Sequence, residues 1–298
     1  MTIEKKEPYF SVIIPVYQDT ERLLQCLDRF NGYLSMNFNF EVIVVNNDPE
    51  ISDLKINPNQ FTFDLLFTNE VTHGSYAARN KGLKMARGTV VGFTDSDCLP
   101  GKDWLHNAYA HFSIDKTKSI GILTGPVALF FKDPLKLSPA ELYEKFTAFK
   151  TQQYAQEGFA ITANWFSYKS VIQEFGGFNS IIKSNGDSEL SGKISQKYKL
   201  IFSENLIVHH PARYFTSDMV YKYQRIIGGT YIRRFKGRNF YFFLHVAQFS
   251  FRRYRFFIKK LFTIPLSQSL DILKVCNAVN LGVFREYFSL IQSEKTKR

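Results

Sequence analysis

GSYAARNKGLKMARGTVVGFTDSDCLP, Gly74 to Pro100, is the stretch that decides the fold. Its first half is rich in alanine and free of proline, which predicts a helix from Gly74 to Arg87 closed by Gly88. Thr89 to Phe93 follows as a short apolar, β-branched run, the pattern of a buried strand, and it delivers Thr94-Asp95-Ser96-Asp97 at its carboxyl end. Two carboxylates one residue apart (Asp-x-Asp, or DXD) offer hard oxygen ligands that suit Mg2+ or Mn2+ shared with a diphosphate. The same spacing also occurs in solvated turns. The preceding strand and the following Cys98-Leu99-Pro100 turn favour the ligand reading.

Upstream, Phe10 to Val16 reads as a strand, and Thr20 to Phe30 as a helix with Leu23, Leu24 and Leu27 on one side. Phe40 to Val45 is a second strand that stops at the turn formers Asn46-Asn47-Asp48-Pro49, and Phe61 to Phe67 is a third. Strands alternating with helices imply an α/β fold with a mostly parallel sheet flanked by helices. In such sheets ligands bind beyond the carboxyl ends of the strands, which gathers Pro15 to Gln18, Asn46 to Asp48 and Asp95 to Asp97 around one crevice. Downstream come an apolar run at Ile120 to Val127, a helix expected at Pro139 to Gln156, a glycine-rich turn at Phe175 to Phe178, and SNGDSELSGKI opening another helix. Beyond 213, two amphipathic stretches follow, Asn239 to Lys260 and Leu261 to Phe288.

The net charge of +11 is unevenly spread: residues 213–298 hold 17 Lys and Arg against 4 Asp and Glu, while 1–212 hold 21 against 23. A basic block beside many of the 30 Phe and 16 Tyr describes an interfacial helix on an anionic membrane surface. A helical hairpin packed on the chain itself or in a homodimer interface is the alternative, and no nucleic-acid recognition motif is present. Cys26, Cys98 and Cys276 show neither paired nor metal-ligand spacing, so a reducing compartment is expected. MTIEKKEPYF leaves no room for a signal peptide, and no run of 18 apolar residues occurs. The expected location is cytoplasmic, peripheral at the inner face of the cell membrane.

SVIIPVY, EVIVVNND, Gly74 to Pro100, NWFSYKSVIQEFGGFN, SNGDSELSGKI and VHHPAR stand in the order found in family-2 glycosyltransferases of GT-A fold, and residues 9–213 resemble that family. The resemblance implies a Rossmann-like GT-A catalytic domain over 1–212, with a nucleotide-binding half at about 1–100 and an acceptor-side half at 101–212, and a C-terminal helical extension over 213–298. It implies an inverting glycosyl transfer from a nucleotide-diphosphate sugar, a UDP-sugar first, to a saccharide or lipid-linked saccharide in polysaccharide or glycolipid biosynthesis. Pro15 and Tyr17 would flank the nucleobase, Asn47 contact its edge, Arg79 lie near the base or diphosphate, and Asp95 face the ribose. Asp97 would ligate Mn2+ or Mg2+, His210 would complete that site, and Asp187 would be the general base.

Two departures stand out: the family usually carries Asp where Asn46 and Asn47 stand, and often Glu-Asp where this chain reads Gly186-Asp187. Glu189 either orients the acceptor or complements a helix dipole. Trp165 either packs against a sugar or fills the core. His73, His106, His111, His209 and His245 are assigned to structure or solvent. A sugar nucleotidyltransferase is a rival reading, but PVYQDTER after the first strand lacks the glycine of a phosphate loop. A non-catalytic membrane adaptor that retains the fold is a second rival, suggested by Asn46-Asn47.

Overall fold

The computed structural model describes residues 7–32, 38–50, 54–182 and 184–293, so the polar leader at 1–6 lies outside the described residues. The chain divides into two compact units. The first holds residues up to Ala128, Phe149–Ser180 and Gly186–His210; the second holds Leu129–Ala148, Ile181–Asn185 and Pro211 onward. This differs from a single cut at 212, because residues 129–148 and 181–185 leave the sheet unit for the helical one.

The first unit is built on a seven-stranded sheet of order β3-β2-β1-β4-β8-β6-β9. Here β1 is Phe10–Val16, β2 Phe40–Asn46, β3 Asp64–Asn69, β4 Val90–Phe93, β6 Ile120–Thr124, β8 Trp165–Tyr168 and β9 Lys199–Phe202. β3, β2, β1 and β4 run parallel, and β8 lies antiparallel between β4 and β6. The helix expected at Gly74 is α2, Ser75–Met85. A Cβ at its Gly82 would stand 2.5 Å from Ile13 and 3.2 Å from Val45, so glycine is what lets α2 lie close on β1 and β2. Glu41, buried in β2, accepts from the Ser11 hydroxyl of β1 (2.6 Å) and from the Arg87 backbone and guanidinium (2.8 Å each), tying both strands to the end of that helix segment.

Side-chain alternation sorts the β8 aromatics onto opposite faces. Phe166 packs on Trp104, 4.3 Å between centroids, from α3 (Trp104–Phe112). Trp165 turns the other way, against Phe93 and Phe178. The third strand begins three residues later than expected, because Phe61 and Phe63 gather with Phe30 and Phe40 ahead of it. The helix expected over Pro139 to Gln156 is two, α4 (Pro139–Thr147) and α5 (Thr151–Gln156), broken where Phe149 takes φ 35°.

The second unit is helical. α8 (Thr216–Thr230), α9 (Asn239–Leu261) and the 28-residue α10 (Leu266–Ser293) join α4, whose start carries a capping box formed by Ser138 and Glu141. Ile272, Val275, Cys276, Val279, Val283 and Leu290 line one face of α10 and make its core with Leu142, Met219, Ile227, Phe242 and Val246. Among the described residues, no helix is long and apolar enough to cross a membrane.

Candidate active site

The parallel strands end level: Val16 stands opposite Asn46, and Asn46 opposite Asn69. Pro15 is buried two residues beyond Ile13, the last β1 residue paired with β4, so its missing N–H interrupts no bond to that neighbour. Tyr17, just past the strand, is 41% exposed, and Gln18 turns the chain with φ 50°. Asn47 is buried and engaged. Its amide nitrogen donates to the carbonyls of Glu70 and Thr72 (2.8 Å each), and its oxygen accepts from the Gly74 N–H at 2.7 Å. These bonds make Asn47 a brace that holds the loop leading into α2.

That loop aims α2 at the end of β4. Arg79, buried on α2, donates to Asp95 Oδ1, and its guanidinium lies 5.7 Å from the centre of the Tyr76 ring. After Asp97 the chain enters β5 (Leu99–Pro100), which pairs with β10 (Val208–Pro211) through Val208 opposite Pro100 and His209 opposite Leu99. Alternation along β10 leaves His209 exposed and turns His210 inward, with Nε2 3.7 Å from Asp97 Oδ2. Phe149, at the break between α4 and α5, lays its ring 4.9 Å from the His210 imidazole and fixes the ring's setting.

Asp97, Cys98 and His210 hold potential ligand atoms within 4.8 Å of one another. A hard octahedral cation with bonds of about 2.1 Å separates its donors by about 3 Å when adjacent and about 4.2 Å when opposite. The 3.7 Å between Asp97 and His210 lies between these two spacings, so a small shift of either side chain would admit one ion. The Cys98 Sγ contributes differently: it donates to Asp97 Oδ1 at 3.7 Å, and burial, then Asp95 and Asp97, hold its thiol well above the ordinary value. An oxygen and a ring nitrogen remain as a donor set for Mn2+ or Mg2+.

Asp187 opens α7 (Gly186–Ile194). Its Oδ1 accepts from the Ser188 N–H at 2.9 Å and from the Tyr76 hydroxyl at 3.2 Å. Burial pushes its carboxyl above the usual carboxylate range, with Asp95 adding to the push; the Ser188 N–H, Arg79 and Tyr76 pull it back. A continuous chain of contacts thus runs from Asp187 through Tyr76 and Arg79 to Asp95, two residues from Asp97.

Trp165 and Glu189 each carry two readings from the sequence. Trp165 has no solvent exposure, and its indole N–H is bonded to Ser167 at 2.6 Å. It faces the core and cannot pack against a sugar. Glu189 pairs with Lys193 at 2.8 Å and accepts from Asn179 at 3.4 Å, one turn into α7, where a carboxylate also complements the helix dipole. Three residues escape a linear reading: Tyr76, Phe149, and Arg22 on α1 (Thr20–Asp28), whose guanidinium reaches within 3.9 Å of Asp97. The one trace in the sequence was Gly186, a missing side chain beside the carboxylate.

The profile described as Glycosyl transferase family 2 matches residues 11–176. Glycosyltransferase AglE of Haloferax volcanii is 31% identical over 215 residues, covering 70% of this chain and 68% of its own. Glycosyltransferase YfnE of Bacillus subtilis, itself uncharacterised, is 40% identical over 100 residues, 31% of this chain and 24% of its own. Among solved structures, the mannosyltransferase PcManGT from Pyrobaculum calidifontis in complex with GDP-Man and Mn2+ superposes with a TM-score of 0.58 at 16% identity, over 98% of this chain and 89% of that one. TarS from S. aureus in complex with UDP gives 0.52 at 16% identity, over 97% and 93%. With its GT-A sheet, its Asp95-Ser96-Asp97 strand end and these matches, the chain belongs to glycosyl transferase family 2 and is a glycosyltransferase.

Proposed function

We propose that this glycosyltransferase is inverting and metal-dependent, and that it moves a sugar from a nucleoside-diphosphate donor, a UDP-sugar first, to a saccharide or lipid-linked saccharide acceptor. The observation that carries the reading is the pairing of a cation-sized gap, Asp97 Oδ2 to His210 Nε2 at 3.7 Å, with a carboxylate raised by burial, Asp187, linked to it through Tyr76, Arg79 and Asp95. The solved relatives of like fold hold GDP-Man with Mn2+, UDP or UDP-GlcNAc. A divalent cation between Asp97 and His210 would neutralise charge building on the departing diphosphate.

In this scheme the acceptor oxygen attacks the anomeric carbon from the face opposite the leaving group. The bond between that carbon and the diphosphate oxygen breaks, its electron pair leaves with the nucleoside diphosphate, and the hydroxyl proton passes to Asp187. A carboxylate whose pKa burial has raised is a stronger proton acceptor than a solvated one. Arg79 holds Asp95 toward the crevice, and Tyr17 offers an exposed ring to the base.

An acceptor carried on an anionic membrane surface would be met by α9. Phe240, Leu244, Phe251, Ile258 and Phe262 are exposed at spacings of four and seven, one stripe of the helix, with exposed Arg252, Arg255 and Lys259 along its side. Arg253 of the same helix turns inward: its guanidinium stacks on Phe249 (3.7 Å) and Tyr223 (4.1 Å).

Calorimetry with UDP and GDP, with and without Mn2+, tests the donor site. Binding is expected to tighten by at least about tenfold with Mn2+, a step of about 1.4 kcal/mol, and to lose that gain in Asp97→Ala. Equal affinity in EDTA and Mn2+ would remove the metal from the scheme. Product NMR of the transferred sugar reads the anomeric configuration, and retention would overturn inversion.

A further inference from the structure

We infer that Tyr76 is a positioning residue for Asp187, occupying the space that the missing side chain at Gly186 leaves. This rests on Asp187 being the base. Gly186 begins α7 with a helical backbone that any residue adopts, so the demand for glycine there is one of space. A Cβ at 186 would meet the Tyr76 ring carbons at 2.8, 2.9 and 3.0 Å. The two positions are therefore coupled: a large ring at 76 requires nothing at 186, and a carboxylate at 186, as in the pattern this family often carries, requires a smaller residue at 76.

The ring is held firmly. Tyr76 is 7% exposed and stacks on Phe178 at 5.8 Å and 17°. Phe178 is in turn wedged edge-on against Phe93 (5.2 Å) and Trp165 (5.9 Å). The phenol thus arrives at Asp187 on a rigid wall, and its hydroxyl donates to Oδ1 at 3.2 Å.

The exchange alters the electrostatics as well as the packing. A second carboxylate beside Asp187 would push its pKa further up by like-charge repulsion, whereas a neutral phenol donates to the ionised form and stabilises it. The other groups that act on Asp187 are Arg79 on α2, which favours the ionised form, Asp95 beyond β4, which opposes it, and the Ser188 N–H on α7.

The test is Tyr76→Phe, which keeps the ring and removes only the donor. Loss of one hydrogen bond to a charged group predicts a kcat about tenfold lower, donor KM within about twofold of wild type, and an acidic limb of the pH–rate profile displaced upward by about one unit. The melting temperature should stay near that of the parent. A purely structural Tyr76 would leave the acidic limb in place, and that result overturns the inference. A second pair of variants tests the coupling: Gly186→Ala should cost activity beside Tyr76 but cost nothing further in the Tyr76→Ala background, while additive losses would count against coupling. Asp187→Asn separates the two levels. Full activity there removes the base assignment and this inference with it; an inactive Asp187→Asn with an unmoved limb in Tyr76→Phe rejects the inference alone.

Discussion

Trp165 lies two rings beneath the candidate base, since its indole supports Phe178 and Phe178 supports Tyr76. Trp165→Ala would open a cavity at a site with no solvent exposure, and truncations of this kind cost about 3–5 kcal/mol. Urea unfolding should register that loss. Trp165→Phe keeps most of the wall, gives up the bond to Ser167, and should lower stability less while leaving donor and acceptor KM unchanged. A raised KM with intact stability would return Trp165 to the sugar site. Asp95, Asp97, Asp187 and His210, the residues proposed for ribose, metal and general base, can be singled out in the sequence because each lies in or just past a strand or at the start of a helix, within a recognisable motif. Tyr76 cannot, because its partner Asp187 lies 111 residues away and the only local trace of the pair is the missing side chain at Gly186. Asn47 was legible as a residue at a strand end, but its engagement with Glu70, Thr72 and Gly74 depends on where the following loop returns.

At the scale of elements, one buried carboxylate joins separate segments within the helical unit. Glu144 near the end of α4 bonds Arg213 just after β10, through its backbone N–H at 2.7 Å and its guanidinium at 2.6 Å, and Lys222 on α8 at 2.8 Å. Burial alone would raise the Glu144 carboxyl; Lys222 and Arg213 outweigh it and hold the group at about 2, against an ordinary value of 4.5. Because the folded value is the lower one, the stabilisation is complete above pH 4.5 and disappears as pH falls from there toward 2. At about 1.4 kcal/mol per pKa unit, the amount at stake is on the order of 3 kcal/mol. Melts followed by helical signal at pH 5.5 and 2.5 should show a larger acid loss in the wild type than in Glu144→Gln, which is weaker at pH 5.5 because two half-buried cations lose their counter-charge. Identical acid losses would mean that the clamp contributes nothing. None of this clamp is legible from α4 alone. The strand–helix alternation up to Phe93 could be read from local pattern, whereas the late start of β3 and the break at Phe149 follow from ring packing between distant segments.

For the whole molecule, the excess positive charge resides in residues 213–298, where 17 basic residues face 4 acidic ones. Among the described residues no helix is long and apolar enough to span a bilayer, and the proposed membrane attachment would rest on the exposed stripe of α9 and its flanking cations. Each cation near an anionic surface contributes about 1 kcal/mol, so Arg252, Arg255 and Lys259 together supply about 3 kcal/mol, roughly a hundredfold in partitioning. Co-sedimentation with phosphatidylglycerol vesicles is therefore expected to exceed that with phosphatidylcholine. The difference should shrink as salt rises, because surface attraction is screened within about 8 Å at physiological ionic strength. Replacing the three cations by Gln should remove the lipid preference, while Phe251→Ser with Ile258→Ser should weaken binding to both kinds of vesicle without changing the preference. The two perturbations separate charge from ring insertion, as an interfacial helix requires. If neither lipid binds, and sedimentation velocity instead shows a dimer that Phe251→Ser dissociates, the stripe belongs between two copies of the chain and the acceptor need not be delivered on a membrane.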